Sequence, residues 1–139
     1  MRTKKFSNKY LVRIDKGEEI VETLKEFCEK ENIKLGTIIG IGATNRVKVG
    51  LFDPKKKEYH ASELEDNFEI TSLYGNISIM NGEIYLHLHI NLCDKNHKCF
   101  GGHLNYAYVS ATFEGVIELI EGEVDRRFDN EVGLNLLDF

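Results

Sequence analysis

The chain has 139 residues, enough to close one hydrophobic core, and nothing in its length asks for more than a single domain spanning residues 1–139. Its 18 Lys and Arg stand against 23 Asp and Glu, a formal charge of −5, so the positive field of a duplex-DNA binder is missing from the chain as a whole. No apolar run approaches the ~20 residues that span a bilayer, and the first residues lack the apolar stretch of a secretory leader; with three cysteines, an odd number, this predicts a cytoplasmic protein without a disulfide framework.

In chain order, Arg2-Thr3-Lys4-Lys5 reads as a solvated end and Lys9 to Ile14 as the opening strand. Asp15 and Glu18 have capping-box spacing and predict a helix start. Ile20, Leu24, Phe27 and Cys28, with Val21 beside them, form an apolar stripe of helical period, while Glu22, Lys25, Glu26 and Lys30 cover the far side. Gly36 marks the return to β structure. Gly40-Ile41-Gly42-Ala43 lacks the third glycine, the following helix and the Lys-Ser/Thr ending of a phosphate loop, so bulges or close backbone packing explain its glycines. Val47, Val49 and Leu51 alternate with Lys48 and Gly50. Asp53-Pro54 then turns the chain through the solvated Lys55-Lys56-Lys57 into a short strand around Tyr59.

Glu69 to Ile79 predicts a longer strand, and Asn81-Gly82 is the strongest hairpin signal in the chain. It leads into Ile84 to Leu92, a faultless alternation that puts His87 and His89 on one face and five aliphatics on the other. At ~3.3–3.4 Å per residue the two imidazoles stand roughly 7 Å apart along the backbone. After a connection from Asp94 to Gly102, His103 to Thr112 alternates again, with Asn105, Ala107, Val109 and Ala111 expected on the face of His103. Gly101 and Gly102 permit the close approach that starts this strand, and Gly115 predicts a bulge before a strand over Val116 to Ile120. Leu134, Leu136, Leu137 and Phe139, in the tail from Arg126, look like material to bury against the body or a neighbouring subunit.

An antiparallel pairing of the last two histidine-bearing segments would bring His103 beside His87 and His89. Three neutral imidazoles facing one point are the commonest ligand set for a divalent transition metal, here most simply Zn²⁺, with the fourth position open to water or an external ligand. The bland alternative is three polar residues on the wetter side of a sheet. Cys93, His97 and Cys99 lie in the connection with a spacing that matches no common zinc knuckle, yet they place soft ligands near the histidines. Glu69 and Glu114 are the carboxylates to inspect as acid or base, and Tyr85, Asn91 and Asn105 share the histidine faces and could orient an imidazole or a ligand. His60 is isolated and reads as a surface residue. No catalytic residue follows from the pattern, and whether the protein is an enzyme stays open.

Taken together, Gly40-Ile41-Gly42-Ala43, Glu69 to Ile77, Leu86-His87-Leu88-His89, Gly101-Gly102-His103-Leu104 and Ala111-Thr112-Phe113-Glu114 with Val116-Ile117 resemble the plant-and-prokaryote-conserved (PPC) domain, in the order that family has them and across nearly the whole chain. The resemblance implies an α+β fold, a mostly antiparallel sheet with a packed amphipathic helix, and a homotrimer. Its His-x-His and Gly-Gly-His elements imply a metal site, falling here on His87, His89 and His103. Plant members join the domain to a basic AT-hook with an Arg-Gly-Arg-Pro core. This chain has none, since its single proline, Pro54, follows Asp53. Two readings of function result: a cytoplasmic, homotrimeric zinc-binding protein that presents the metal to a small anionic or carbonyl ligand, or an interaction module associated with DNA-binding or transcriptional regulators whose metal is structural or absent. The net charge argues against direct DNA binding, and nothing points to a membrane.

Overall fold

The computed structural model covers residues 1–139 and consists of eight strands and one helix. They run β1 (Arg2–Phe6), β2 (Lys9–Asp15), α1 (Ile20–Lys30), β3 (Gly36–Asp53), β4 (Glu58–Met80), β5 (Glu83–Cys93), β6 (Cys99–Leu119), β7 (Asp125–Asp129) and β8 (Leu134–Asp138). The first six form one antiparallel sheet in the order β1-β2-β6-β3-β4-β5, and a further pairing of β5 with β6 closes β3, β4, β5 and β6 into a ring. A mostly antiparallel sheet with one short helix is thus what the resemblance implied.

The helix forms because its stripe has somewhere to go: Ile20, Leu24, Phe27 and Cys28 are buried in the same cluster as Ile38, Leu88, Ile90 and Phe113. Its start differs from the expectation. Glu18 does accept from the Asp15 N–H at 2.7 Å, but the Asp15 carboxylate pairs with Arg13, and Glu19 caps the helix by accepting from Val21 and Glu22 N–H. Glu19 also accepts from the Ala107 N–H at 2.9 Å, tying the helix end to β6. At the other end Asn32 adopts φ 53°, and the N–H groups of Asn32 and Ile33 donate to Glu29 and Cys28 carbonyls, so the stop is a Schellman turn at Asn32, ahead of Gly36.

Four further expectations change. The amino-terminal end is not a loose tail but β1, all of it exposed, paired residue for residue with β2. The segments around Tyr59 and from Glu69 are one long strand, β4, because β3 is long enough to pair with both. Gly115 pairs in register with Val12 and Gly40, so it is not a bulge; a Cβ there would stand 2.7 Å from the Ile39 carbonyl, which makes it a close-packing position. The face of His103 does not extend to Val109: a register shift between Lys48 and Val49 makes Leu104, then Ala107 and Val109, the buried residues of the first half of β6. The Asn81-Gly82 turn holds as expected, with φ 54° and 82° matching the hairpin type whose twist suits the flanking strands.

The cysteines also depart from the expectation. Cys93 and Cys99 are direct cross-strand partners at the end of the β5–β6 pairing, with Cα atoms 4.4 Å apart, and their sulfurs are bonded to each other. Odd counting missed a local pair, whose redox state follows its compartment. Cys28 is the buried odd one, its thiol pushed up to about 12 by burial and by Glu29.

Candidate metal and ligand site

Period-two sorting on β5 turns Leu88, Ile90 and Leu92 into the core and leaves His87 and His89 facing outward. The hairpin to β6 sets His103 directly opposite His89. That register needs glycine at 101: a Cβ there would lie 2.0 Å from the Ile90 carbonyl, and one at Gly102 would lie 2.7 Å from the Gly50 carbonyl. Ring centroids of His87 stand 5.2 Å from both His89 and His103, and those of His89 and His103 are 5.6 Å apart. One ring nitrogen of each lies within 4.8 Å of the others. Zn–N bonds of ~2.0–2.1 Å in a tetrahedron need nitrogens about 3.4 Å apart, so small ring rotations bring all three onto one ion. Burial, then the neighbouring His103, Arg126 and His89, pushes His87 down to about 4, and burial followed by His89 lowers His103. These two are therefore neutral near pH 7, with a lone pair free for a ligand.

The cluster opens into a cavity of about 860 Å³. Of the candidate helpers, Tyr85 lines this cavity. Asn105 is reached through Tyr59, whose hydroxyl donates to it at 2.7 Å and whose ring meets His103 edge-on at 6.1 Å. The others are elsewhere. Asn91 donates to Ser72, Glu69 pairs opposite Cys93, and Glu114 lies between Arg13 and Ile41 in the sheet, so neither carboxylate reaches the histidines as an acid or base. His97 sits in the turn with φ 62°, and neither it nor Cys93 and Cys99 is among the residues that line the cavity or join the histidine cluster. His60 is exposed beside Glu58.

The residue that sequence reasoning missed is Arg126. It is only 7% exposed, and donates to Ser78 Oγ at 2.7 Å, Asn76 Oδ1 at 2.7 Å and the Asn135 carbonyl at 2.8 Å, with its guanidinium 4.7 Å from the Tyr85 ring. Asn76 pairs opposite His87, which puts this cation at the rim of the cluster. Burial lowers the Arg126 pKa, with Tyr85 opposing. The β7–β8 hairpin that carries Arg126 gave a sequence signal only in its leucines, which line the same cavity.

A closed antiparallel ring that carries a His-x-His strand against a Gly-Gly-His strand, with one helix packed beside it, defines a class of small β proteins with an imidazole-lined pocket. Residues 1–121 match the model of the Plants and Prokaryotes Conserved (PCC) domain, and the chain belongs to that family. Among solved structures, a Bacteroides thetaiotaomicron protein provisionally described as DNA-binding is 38% identical over 99% of this chain and 96% of its own, with a TM-score of 0.97. A metal-containing protein from Archaeoglobus fulgidus is 35% identical over 97% of this chain and 96% of its own, with a TM-score of 0.88. A PPC protein from Pyrococcus horikoshii is 34% identical over 99% and 94%, with a TM-score of 0.86. No curated protein matches the chain. No helix is long and apolar enough to cross a membrane.

Proposed function

We propose that this protein is a small cytoplasmic metal-binding homotrimer in which His87, His89 and His103 hold one zinc ion and present it to a small anionic or carbonyl ligand. The observation that carries this reading is the convergence of three imidazole nitrogens within 4.8 Å at the mouth of a cavity. The donor set fits: all-nitrogen, with two of the rings held neutral, it suits zinc better than a hard cation such as magnesium. The metal-containing relative from Archaeoglobus fulgidus supports it as well. A zinc ion held by three histidines supplies Lewis acidity and a bound water that ionises near neutral pH. The chain's own part is to hold the rings at a fixed spacing through the β5–β6 register and to line the approach with Tyr59, Tyr85 and Arg126. Trimer formation finds support in the large exposed side chains of Leu11, Ile39, Ile41 and Tyr74, an apolar surface of the kind subunit contacts cover.

Elemental analysis of untagged protein is expected to give about one zinc per chain. His87→Ala is expected to weaken zinc retention beyond the roughly 10–100-fold that removal of an outer partner costs, while leaving the folded trimer in place. Protein that holds no zinc, or whose zinc content His87→Ala leaves unchanged, would dispose of the metal reading.

The second reading, a module associated with DNA-binding proteins, draws on the description of the Bacteroides relative. Against direct contact with DNA, the basic β1–β2 hairpin is partly neutralised: Arg13 and Arg2 face Asp15, and Lys9 faces Glu118. A salt-dependent mobility shift with duplex DNA at low ionic strength is what direct binding requires.

A further inference from the structure

Arg126 sits where a buried cation is hard to justify by structure alone. All three of its acceptors are neutral, whereas the ion pairs of the chain fall on Met1, Arg2, Lys9, Arg13, Lys25, Lys34, Arg46, His60 and Arg127. A buried guanidinium is ordinarily compensated by a carboxylate, because neutral acceptors do not offset the loss of hydration. No Asp or Glu lines the cavity, and the guanidinium keeps donor capacity beyond its three bonds. Apolar side chains line the same cavity beside this charge: Leu51 from β3 and Leu134, Leu136 and Leu137 from β8, all 37–65% exposed, and Phe139, with Leu137 the cross-strand partner of Arg126. At about 860 Å³ the cavity is within the size range of small-molecule sites. Arg126 and β8 lie outside residues 1–121, so these features are not those that define the family match.

We propose that the cavity binds an amphiphilic monocarboxylate, an aliphatic or arylalkyl acid, with its carboxylate on Arg126 and its apolar body along these leucines. The planar fork of the guanidinium suits a carboxylate, and Asn76 and Ser78 hold that fork fixed. Tyr85 backs its flat face. The inference builds on the metal reading only in that zinc on the histidines adds positive charge at the same mouth; the charge of Arg126 is there without it.

Calorimetric titration of acetate, butanoate, hexanoate and hexanamide into the full chain, with zinc measured in each sample, tests it. Affinity is expected to rise up to roughly fourfold per added methylene, and hexanoate to exceed hexanamide. Arg126→Gln should lower hexanoate affinity by about tenfold or more and erase the preference over hexanamide, with zinc content unchanged, while Arg126→Lys restores part of both. Hexanoate no tighter than hexanamide in the wild type, or undiminished in Arg126→Gln, overturns the proposal whatever the zinc content. Should Arg126→Gln fail to fold, the acid-against-amide comparison in wild type stripped of zinc by a chelator decides, because Arg126 is the only Arg or Lys lining the cavity. Failure of the metal reading shows separately, as zinc content that His87→Ala does not change.

Discussion

On β5, Leu88, Ile90 and Leu92 point into the core and are 0–1% exposed, while His87 and His89, alternating with them, face the cavity and keep some contact with solvent. The two faces share one backbone and one register, yet they answer to different physics. The inner face is held by burial, and it fixes the strand against sliding because a slip of one residue would exchange imidazoles for aliphatics. The outer face inherits that rigidity and adds almost nothing to the core. Stability and chemistry are thus separable by substitution although they are inseparable by register.

The largest expected effect comes from the inner face. Leu88→Ala should destabilise by ~2–5 kcal/mol in urea melts, through lost burial and the cavity left behind, while the folded fraction keeps its zinc. If zinc were lost in proportion to stability, the two faces would not be separable. Gly101→Ala tests the register they share. Its Cβ would meet the Ile90 carbonyl, so β5 and β6 must part locally, costing ~1–3 kcal/mol and weakening zinc together with stability.

A smaller effect comes from pH in the zinc-free protein. His87 titrates near 4 in the fold against an ordinary 6.5, so as pH falls below 6.5 the unfolded chain takes the proton first. The contribution is fully present above about pH 6.5 and is lost progressively as pH falls through the folded value near 4. His87→Asn should flatten that part of the profile, read from urea midpoints between about pH 7 and about pH 4.5. An unchanged slope would place the acid sensitivity elsewhere, for instance on Glu18, whose carboxyl is held low first by the Met1 ammonium bonded to it.

Much of this is legible in the sequence alone because it is local. Alternation from Ile84 to Leu92 sorts core from site by itself, Asn81-Gly82 accepts the left-handed dihedrals of its turn, and the stripe from Ile20 to Cys28 has one period only. Less visible were features decided by the partner strand. The register shift that separates the face of His103 from that of Val109 depends on β3, and the close packing of Gly115 depends on the Ile39 carbonyl. Cys93 and Cys99 become partners because the hairpin places them opposite each other, something their number could not reveal. Arg126 was hidden for another reason. Its sequence neighbours are charged and exposed, and only the return of β7 onto Ser78 and Asn76 buries it. The same return assembles the cavity from segments far apart in the chain, so neither Glu69 nor Glu114 could be excluded from it by spacing alone.

The three histidines occupy a single short hairpin, whereas the ring they belong to is sealed by the distant pairing of β6 with β3. Contacts close along the chain cost little loop entropy and form early, and distant ones arrive late. On the proposed metal reading, an ion supplied during refolding would find its three nitrogens on one local hairpin and would act as a clasp on the nascent chain; refolding that zinc does not accelerate would count against that order.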